Sequence, residues 1–122
     1  MAICLIVDDS DVIRRVVSHM LLALGVEPLE ATGPLEALVK CDVNPPDFLV
    51  LDWRMPGLNV VDFLAQLRSR PHGKLVKVIY ATSEHDPIDI ARAMTAGANE
   101  YVIKPFDRVT LAQKLGTNLA VQ

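Results

Sequence analysis

The sequence has few of the features that mark membrane, secreted or nucleic-acid-binding proteins. Its N-terminal apolar run, residues 2–7, is much shorter than the ~20 residues of a membrane-spanning helix. The run meets Asp8 and Asp9, where a secretion signal would carry small neutral residues. Basic residues do not dominate either, because 12 stand against 15 acidic ones, for a formal net charge of −3. We therefore expect a cytoplasmic protein without membrane insertion or direct nucleic-acid contact, whose partners are proteins or small molecules.

Cysteine is also scarce, and the two cysteines do not suggest a disulfide framework. Cys4 lies inside an apolar run, and Cys41 follows a helical pattern. Both are predicted to be reduced thiols that are buried or half-buried.

Apolar residues, in contrast, are abundant and periodic. They make up 51% of the 122 residues, enough for one domain, residues 1–122, around a single core. Five short β-type runs alternate with helical patterns, and nearly continuous apolar runs are typical of strands buried on both faces of a parallel sheet. The predicted strands cover residues 3–7, 26–30, 48–51, 76–81 and 100–103.

The helical segments between these strands have recognisable starts and faces. Asn59 and Asp107 are suited to cap the third and fifth helices. The first helix carries an apolar stripe that is predicted to be core, whereas Arg14, Arg15 and Ser18 lie on its polar side. The stripe consists of Ile13, Val16, Val17, Met20, Leu21 and Leu24.

The order of the strands is indicated by one proline. Pro28 lies in the second run, and because proline cannot donate to a ladder, this strand is predicted to lie at an edge of the sheet. A doubly wound, five-stranded parallel α/β sheet of order 2-1-3-4-5, as in flavodoxin-like folds, satisfies this and keeps every crossover right-handed. Ligands of such sheets bind beyond the carboxyl ends of the strands, here between strands 1 and 3.

Polar residues stand at four of these carboxyl ends. Asp8 and Asp9 follow the first strand, Asp52 the third, Thr82 the fourth and Lys104 the fifth. Each alone could be a helix cap or a solvated surface group. Because all of them open onto one predicted crevice, we interpret the set as a functional site.

The chemistry of this set points to a metal ion and a phosphoryl group. Two carboxylates about 4 Å apart repel by on the order of 4 kcal/mol at an effective dielectric constant of about 20. Oxygen ligands favour a hard cation such as Mg²⁺, which commonly coordinates phosphate, and its charge with that of Lys104 balances the three carboxylates. A carboxylate nucleophile, a metal and a lysine are the components needed to form an aspartyl phosphate on Asp52.

Stretches along nearly the whole chain match one known family. They are Asp8-Asp9-Ser10, LDWRMPG around Asp52, Thr82-Ser83, and GANEYVIKPF ending at Phe106. In their order and spacing, the sequence resembles the receiver domains of two-component response regulators and predicts a single CheY-like receiver.

The resemblance implies how a phosphoryl group is bound. Asp52 would accept it from a histidine kinase or a histidine phosphotransfer protein, and Thr82 and Lys104 would contact its oxygens. The protein would then be a phosphorelay switch rather than an enzyme, with Mg²⁺-dependent self-phosphorylation and autodephosphorylation.

The resemblance also implies the metal ligands and the output. Asp8, Asp9 and Asp52 would bind Mg²⁺ together with the backbone carbonyl of Arg54. Tyr101 would be the switch aromatic, which turns inward as the threonine moves toward the phosphate. Helix 4, strand 5 and helix 5 would contact a downstream output protein, and the polar flank of helix 1, residues 10–18, would dock the phosphodonor.

The sequence departs from the family pattern after the third strand. Receivers commonly carry an acidic residue and a glycine where this chain has Asn59 and Val60. Because a β-branched residue is poorly suited to a positive φ, we expect a changed loop there.

Two other classes of protein share parts of this pattern. A phosphohydrolase of the haloacid dehalogenase type also uses an aspartate nucleophile, but it needs a second aspartate two residues later, where this chain has Arg54. A flavodoxin-like electron carrier needs hydroxyls and free amides in its phosphate loop, where Asp8, Asp9 and Asp11 place negative charge.

Overall fold

The structure, a computed structural model, describes residues 1–52, 58–83 and 87–116. Within these ranges, five strands alternate with five α-helices, and a short 3₁₀-helix, His72–Leu75, precedes the fourth strand. The strands are β1 Ile3–Val7, β2 Glu27–Ala31, β3 Phe48–Asp52, β4 Lys77–Thr82 and β5 Glu100–Ile103. The helices are α1 Asp11–Ala23, α2 Pro34–Val43, α3 Val60–Ser69, α4 Pro87–Ala96 and α5 Arg108–Leu115.

The five strands form one parallel sheet in the order β2-β1-β3-β4-β5, which confirms the predicted α/β fold. Pro28 lies in the edge strand β2, in register with Cys4 of β1. Because an edge strand has only one neighbouring strand, the missing N–H of the proline disrupts no ladder on its other side. The observed bounds differ in detail from the predicted ones: β3 ends one residue later, and β2 and β4 each begin and end one residue later. Asp52 and Thr82 are therefore the last residues of their strands, and Asp52 is still in register with Ala81.

The core lies on both faces of this sheet because side chains alternate along each strand. One face, which includes Leu51 and Tyr80, packs against α2, α3 and α4. The other, which includes Val50 and Ala81, packs against α1 and α5. Full burial of an aliphatic side chain contributes about 1.5–3 kcal/mol to folding, so these two layers hold the strand ends in place.

Both cysteines are buried in these layers as free thiols, as predicted. Cys4 belongs to the layer under α1 and α5, and Cys41 lies on α2 in the opposite layer.

The predicted caps are present at both helix starts. The side chain of Asn59 accepts a hydrogen bond from the N–H of Asp62 at 2.9 Å, and that of Asp107 accepts one from Thr110 at 2.8 Å. Val60 is the first residue of α3 and is buried in the core. Among the residues described, only glycines have a positive φ, so Val60 is in a conformation that a β-branched residue adopts readily.

Helix α1 differs from its predicted pattern. Val17 and Leu21 of the apolar stripe are buried, but Val16 is 47% exposed. Arg14 and Ser18, expected on the polar side, are buried instead. The reason is that α1 also contacts the edge strand β2, so its buried face is wider than an apolar stripe alone indicates.

Within the described ranges, none of the helices has both the length and the apolar character required to span a membrane.

Candidate functional site

Four strand ends bring the predicted site residues to one edge of the sheet. Asp8 directly follows β1, Asp52 ends β3, Thr82 ends β4, and Lys104 directly follows β5. The backbone N–H of Lys104 donates a hydrogen bond to the Thr82 carbonyl at 2.8 Å, which joins the last two strand ends. The buried strands thus deliver polar side chains to the edge where open α/β sheets bind ligands.

Three carboxylates converge at this edge. One oxygen from each of Asp8, Asp9 and Asp52 lies within 4.8 Å of the others. Asp8 and Asp52 are only 4% and 6% exposed, whereas Asp9 is open to solvent. An oxygen-only donor set with one solvent-exposed side fits a hard divalent cation that keeps part of its water shell. The predicted metal residues Asp8, Asp9 and Asp52 are therefore together, whereas Arg54, the predicted source of a backbone carbonyl, lies outside the described residues.

Lys104 brings a positive charge into the crevice. Its Nζ lies 2.9 Å from Asp52 Oδ1 and 3.3 Å from Asp8 Oδ2. The lysine side chain is largely buried, so these charge-assisted contacts are weakly screened by solvent. One ammonium therefore bridges two carboxylates from different strands.

Asp8 is held at each of its polar groups. Its N–H donates to the Ala31 carbonyl at 3.2 Å, and its own carbonyl accepts from Arg14 Nη1 at 2.7 Å. Its Oδ1 accepts from the N–H of Ser10 at 2.8 Å, while Oδ2 faces Lys104. The contact from Arg14 was missed at the sequence level, because charge and period alone place this arginine on the polar side of α1.

The electrostatics of Asp8 favour a cation. Burial raises the pKa of the Asp8 carboxyl, the Ser10 N–H opposes this, and the nearby Asp52 carboxylate raises the pKa further. Lys104 lowers it, yet the net direction is upward. Lys104 therefore does not fully offset the desolvation of the Asp8 carboxylate and its repulsion by Asp52. A bound cation would favour the ionised form of Asp8.

Tyr101 does not lie among the carboxylates. It is in β5, is 37% exposed, and its ring centre lies 5.2 Å from Lys114 Nζ. It is in register with Tyr80, two residues before Thr82. Because residues in register point to the same face of a parallel sheet, the side chains of Tyr101 and Thr82 share a face.

The comparisons with known proteins agree with this geometry. The family model described as the response regulator receiver domain matches residues 4–116. The chain belongs to this family. It is a two-component receiver, a signalling domain, and nothing in the comparisons supports a phosphohydrolase of the haloacid dehalogenase type.

Relatives of this receiver include chemotaxis proteins. It is 38% identical to chemotaxis protein CheY1 of Helicobacter pylori over 120 residues, which cover 93% of this chain and 97% of that protein. The solved structure of chemotaxis protein CheY4 of Vibrio cholerae has a TM-score of 0.89 and 33% identity, with 95% of this chain and 97% of that one covered.

A third relative was solved with a metal ion. It is the receiver domain of the sensor histidine kinase PA1611 of Pseudomonas aeruginosa, with a TM-score of 0.84 and 26% identity over 95% of this receiver and 98% of that chain. That structure has a magnesium ion coordinated in its active-site cleft.

Proposed function

We propose that this receiver is phosphorylated on Asp52 and that Asp8, Asp9 and Asp52 bind Mg²⁺ for this reaction. The observation that carries the proposal is the convergence of three carboxylates and the Lys104 ammonium beyond the strand ends. The Arg54 carbonyl is proposed as a further ligand because Arg54 is only two residues after Asp52 in the sequence. When bound, Mg²⁺ supplies positive charge to the oxygens of a transferred phosphoryl group.

The phosphodonor is a histidine kinase or a histidine phosphotransfer protein. A carboxylate oxygen of Asp52 forms the new bond to phosphorus, while the bond to the histidine nitrogen breaks and the imidazole keeps that electron pair. Lys104 is in place to neutralise charge on the phosphoryl oxygens, and the Thr82 hydroxyl is a donor for one of them. Hydrolysis by water would later release inorganic phosphate and restore Asp52.

The donor docks beside Lys104. A groove of about 300 Å³ runs there between α1 and the segment after β5. Its lining is mostly apolar and includes Ile13, Val16, Met20 and Phe106 together with Lys104. A donor helix with an apolar face would bury the exposed part of Val16 and bring its phosphohistidine to the crevice.

Thr82 and Tyr101 couple phosphorylation to a change in the surface that binds the output protein. If the Thr82 hydroxyl turns toward a phosphoryl oxygen, it vacates space on the face of the sheet that it shares with Tyr101. The half-exposed ring can turn into that space and leave Lys114, which changes the surface formed by α4, β5 and α5. An output protein that binds this surface would then distinguish the two states. We place this cycle in the cytoplasm and assign all of it to one receiver domain, residues 1–122.

A phosphorylation assay tests the proposal. The protein is incubated with acetyl phosphate in Mg²⁺, and a matched sample contains EDTA instead. The intact mass should increase by one phosphoryl group only in the Mg²⁺ sample. Equal labelling in both samples would exclude a role for the metal, and no labelling in either would contradict phosphoryl acceptance.

A further inference from the structure

Arg14 is a buried arginine that the phosphorylation chemistry does not use. It is 7% exposed, although it occupies the second turn of a surface helix. Its guanidinium contacts three different parts of the chain: Asp11 on its own helix, Glu30 in β2, and the backbone carbonyl of Asp8. An arginine seldom loses this much hydration without a function for its donors.

The contact with Asp8 is the buried one of the three. Nη1 donates to the Asp8 carbonyl at 2.7 Å, while Nε donates to Glu30 Oε1 at 3.0 Å. Glu30 and Asp11 are themselves exposed carboxylates, so they orient the guanidinium from the solvent side. The planar fork of arginine suits this geometry, because one group serves several acceptors in fixed directions.

The edge strand β2 also holds the backbone of Asp8. Ala31, next to Glu30, accepts a hydrogen bond from the N–H of Asp8 at 3.2 Å. The backbone of Asp8 is therefore held on its N–H side by β2 and on its carbonyl side by an arginine that β2 also orients. The carbonyl belongs to the peptide that joins Asp8 to Asp9, so its orientation affects both carboxylates.

We propose that Arg14 is a positioning residue for the metal site: it fixes the peptide between Asp8 and Asp9 so that both carboxylates face Asp52. This inference rests on the proposed Mg²⁺ site. It adds a residue that binds neither metal nor phosphate and acts through the backbone of a ligand. Partners that orient metal ligands commonly change affinity by about 10- to 100-fold when removed.

The direction in which the Mg²⁺ affinity changes when Arg14 is replaced distinguishes a positioning role from the effect of its charge alone. Arg14 is a cation close to the site, so its charge alone opposes Mg²⁺ binding, and its removal would tighten binding. Loss of a positioning contact has the opposite effect. A weaker affinity in Arg14→Gln therefore cannot be attributed to the lost charge.

The test is a calorimetric Mg²⁺ titration of the wild type, Arg14→Gln and Arg15→Gln. Arg15 is adjacent, exposed and equally charged, so it controls for charge and for the helix. We expect Arg14→Gln to bind Mg²⁺ about 10- to 100-fold more weakly, and Arg15→Gln to bind as the wild type or slightly more tightly. Equal or tighter binding in Arg14→Gln would overturn the proposal.

Two further measurements distinguish positioning from general damage. In an Asp8→Asn background, Arg14→Gln should cause a smaller loss of affinity than in the wild type, because only the Asp9 carboxylate remains to be positioned through this peptide. The same loss in that background would mean a general defect and overturn the proposal. If Arg14→Gln does not fold, Arg14→Lys is decisive. Its single ammonium cannot serve all three acceptors, so weaker binding than in the wild type is expected, and wild-type affinity would overturn the inference.

A metal-free measurement keeps this inference separate from the proposed function. The Ser10 N–H donates to Asp8 Oδ1, so its NMR amide shift reports the position of that carboxylate. Without Mg²⁺, Arg14→Gln should move the Ser10 and Asp9 amide signals, and Arg15→Gln should leave them in place. If the wild type fails to bind Mg²⁺, the proposed metal site is wrong. Unmoved amide signals in Arg14→Gln would overturn the positioning role.

Discussion

Lys104 and Asp52 form an ion pair across an intervening strand: Nζ lies 2.9 Å from Oδ1, although β4 separates β3 from β5. The same ammonium reaches Asp8 Oδ2 at 3.3 Å. Two buried carboxylates therefore share one cation, and a metal ion bound by all three acidic residues would compete with that lysine. This relationship makes the roles of lysine and metal separable by experiment.

Lys104→Ala should leave Mg²⁺ binding intact and impair phosphorylation. The ammonium competes with the metal for two carboxylates, so its removal should keep the Mg²⁺ affinity equal or increase it. Phosphoryl transfer should slow, by about tenfold for each 1.4 kcal/mol of lost charge stabilisation. Calorimetry gives the affinity and intact mass gives the labelling rate. Lys74→Ala, an exposed lysine outside the site, is the control, and a loss of Mg²⁺ binding in Lys104→Ala would contradict this division of roles.

Asp9→Ala should remove most of the Mg²⁺ affinity. Asp9 is the solvent-exposed member of the three carboxylates, so its loss takes away a ligand without opening the core. In the wild type, Mg²⁺ should raise the melting temperature, because a ligand that binds only the folded state stabilises it. That rise in melting temperature should be absent in Asp9→Ala and retained in Glu27→Gln. Glu27 is an exposed residue at the start of β2, at the end of the strands opposite the carboxylates. An equal rise in Asp9→Ala would exclude Asp9 as a ligand.

Beryllofluoride, a mimic of the bound phosphoryl group, should move the ring of Tyr101. The ring now lies 5.2 Å from Lys114 Nζ and is partly exposed. Its inward turn would change the NMR shifts of Tyr101 and of the Lys114 side chain together. Lys74 serves as the reference signal that should stay unchanged. Identical Tyr101 spectra with and without the mimic would argue against the switch.

Both cysteines should be inert toward thiol reagents in the folded protein. Burial raises the pKa of Cys4 to about 12 and that of Cys41 to about 11. Since the thiolate is the reactive form, neither thiol ionises appreciably at pH 8, and reagent access is also blocked. Absorbance with Ellman's reagent should show no fast reaction in buffer and two reactive thiols in urea. One fast thiol under native conditions would show that a cysteine is accessible.

Much of this fold could be predicted from local patterns. Buried strands are continuously apolar, Pro28 marks the edge strand, and Asn59 and Asp107 cap helices through their own side chains. The positions of Asp52 and Lys104 then followed from topology, because parallel strands end at a common edge.

Other features could not be predicted because they depend on contacts between distant segments. Arg14 is buried because α1 packs beside β2, which supplies Glu30 as a partner, and because the Asp8 carbonyl accepts a hydrogen bond from its guanidinium. No periodicity within the helix contains that information. The helical position of Val60 and its burial in the core likewise depend on where α3 begins against the sheet.

Intact-mass spectrometry of the wild type and Asp52→Asn, each with acetyl phosphate and Mg²⁺, tests the assignment of the phosphoacceptor. The substitution keeps the shape of the side chain and removes the carboxylate nucleophile. Asp47→Asn, an exposed aspartate near the start of β3, controls for the loss of one charge. The wild type and Asp47→Asn should each gain one phosphoryl group, and Asp52→Asn should gain none while remaining folded by circular dichroism. Labelling of Asp52→Asn at the wild-type rate would place the phosphoryl group on another residue and contradict the proposed function.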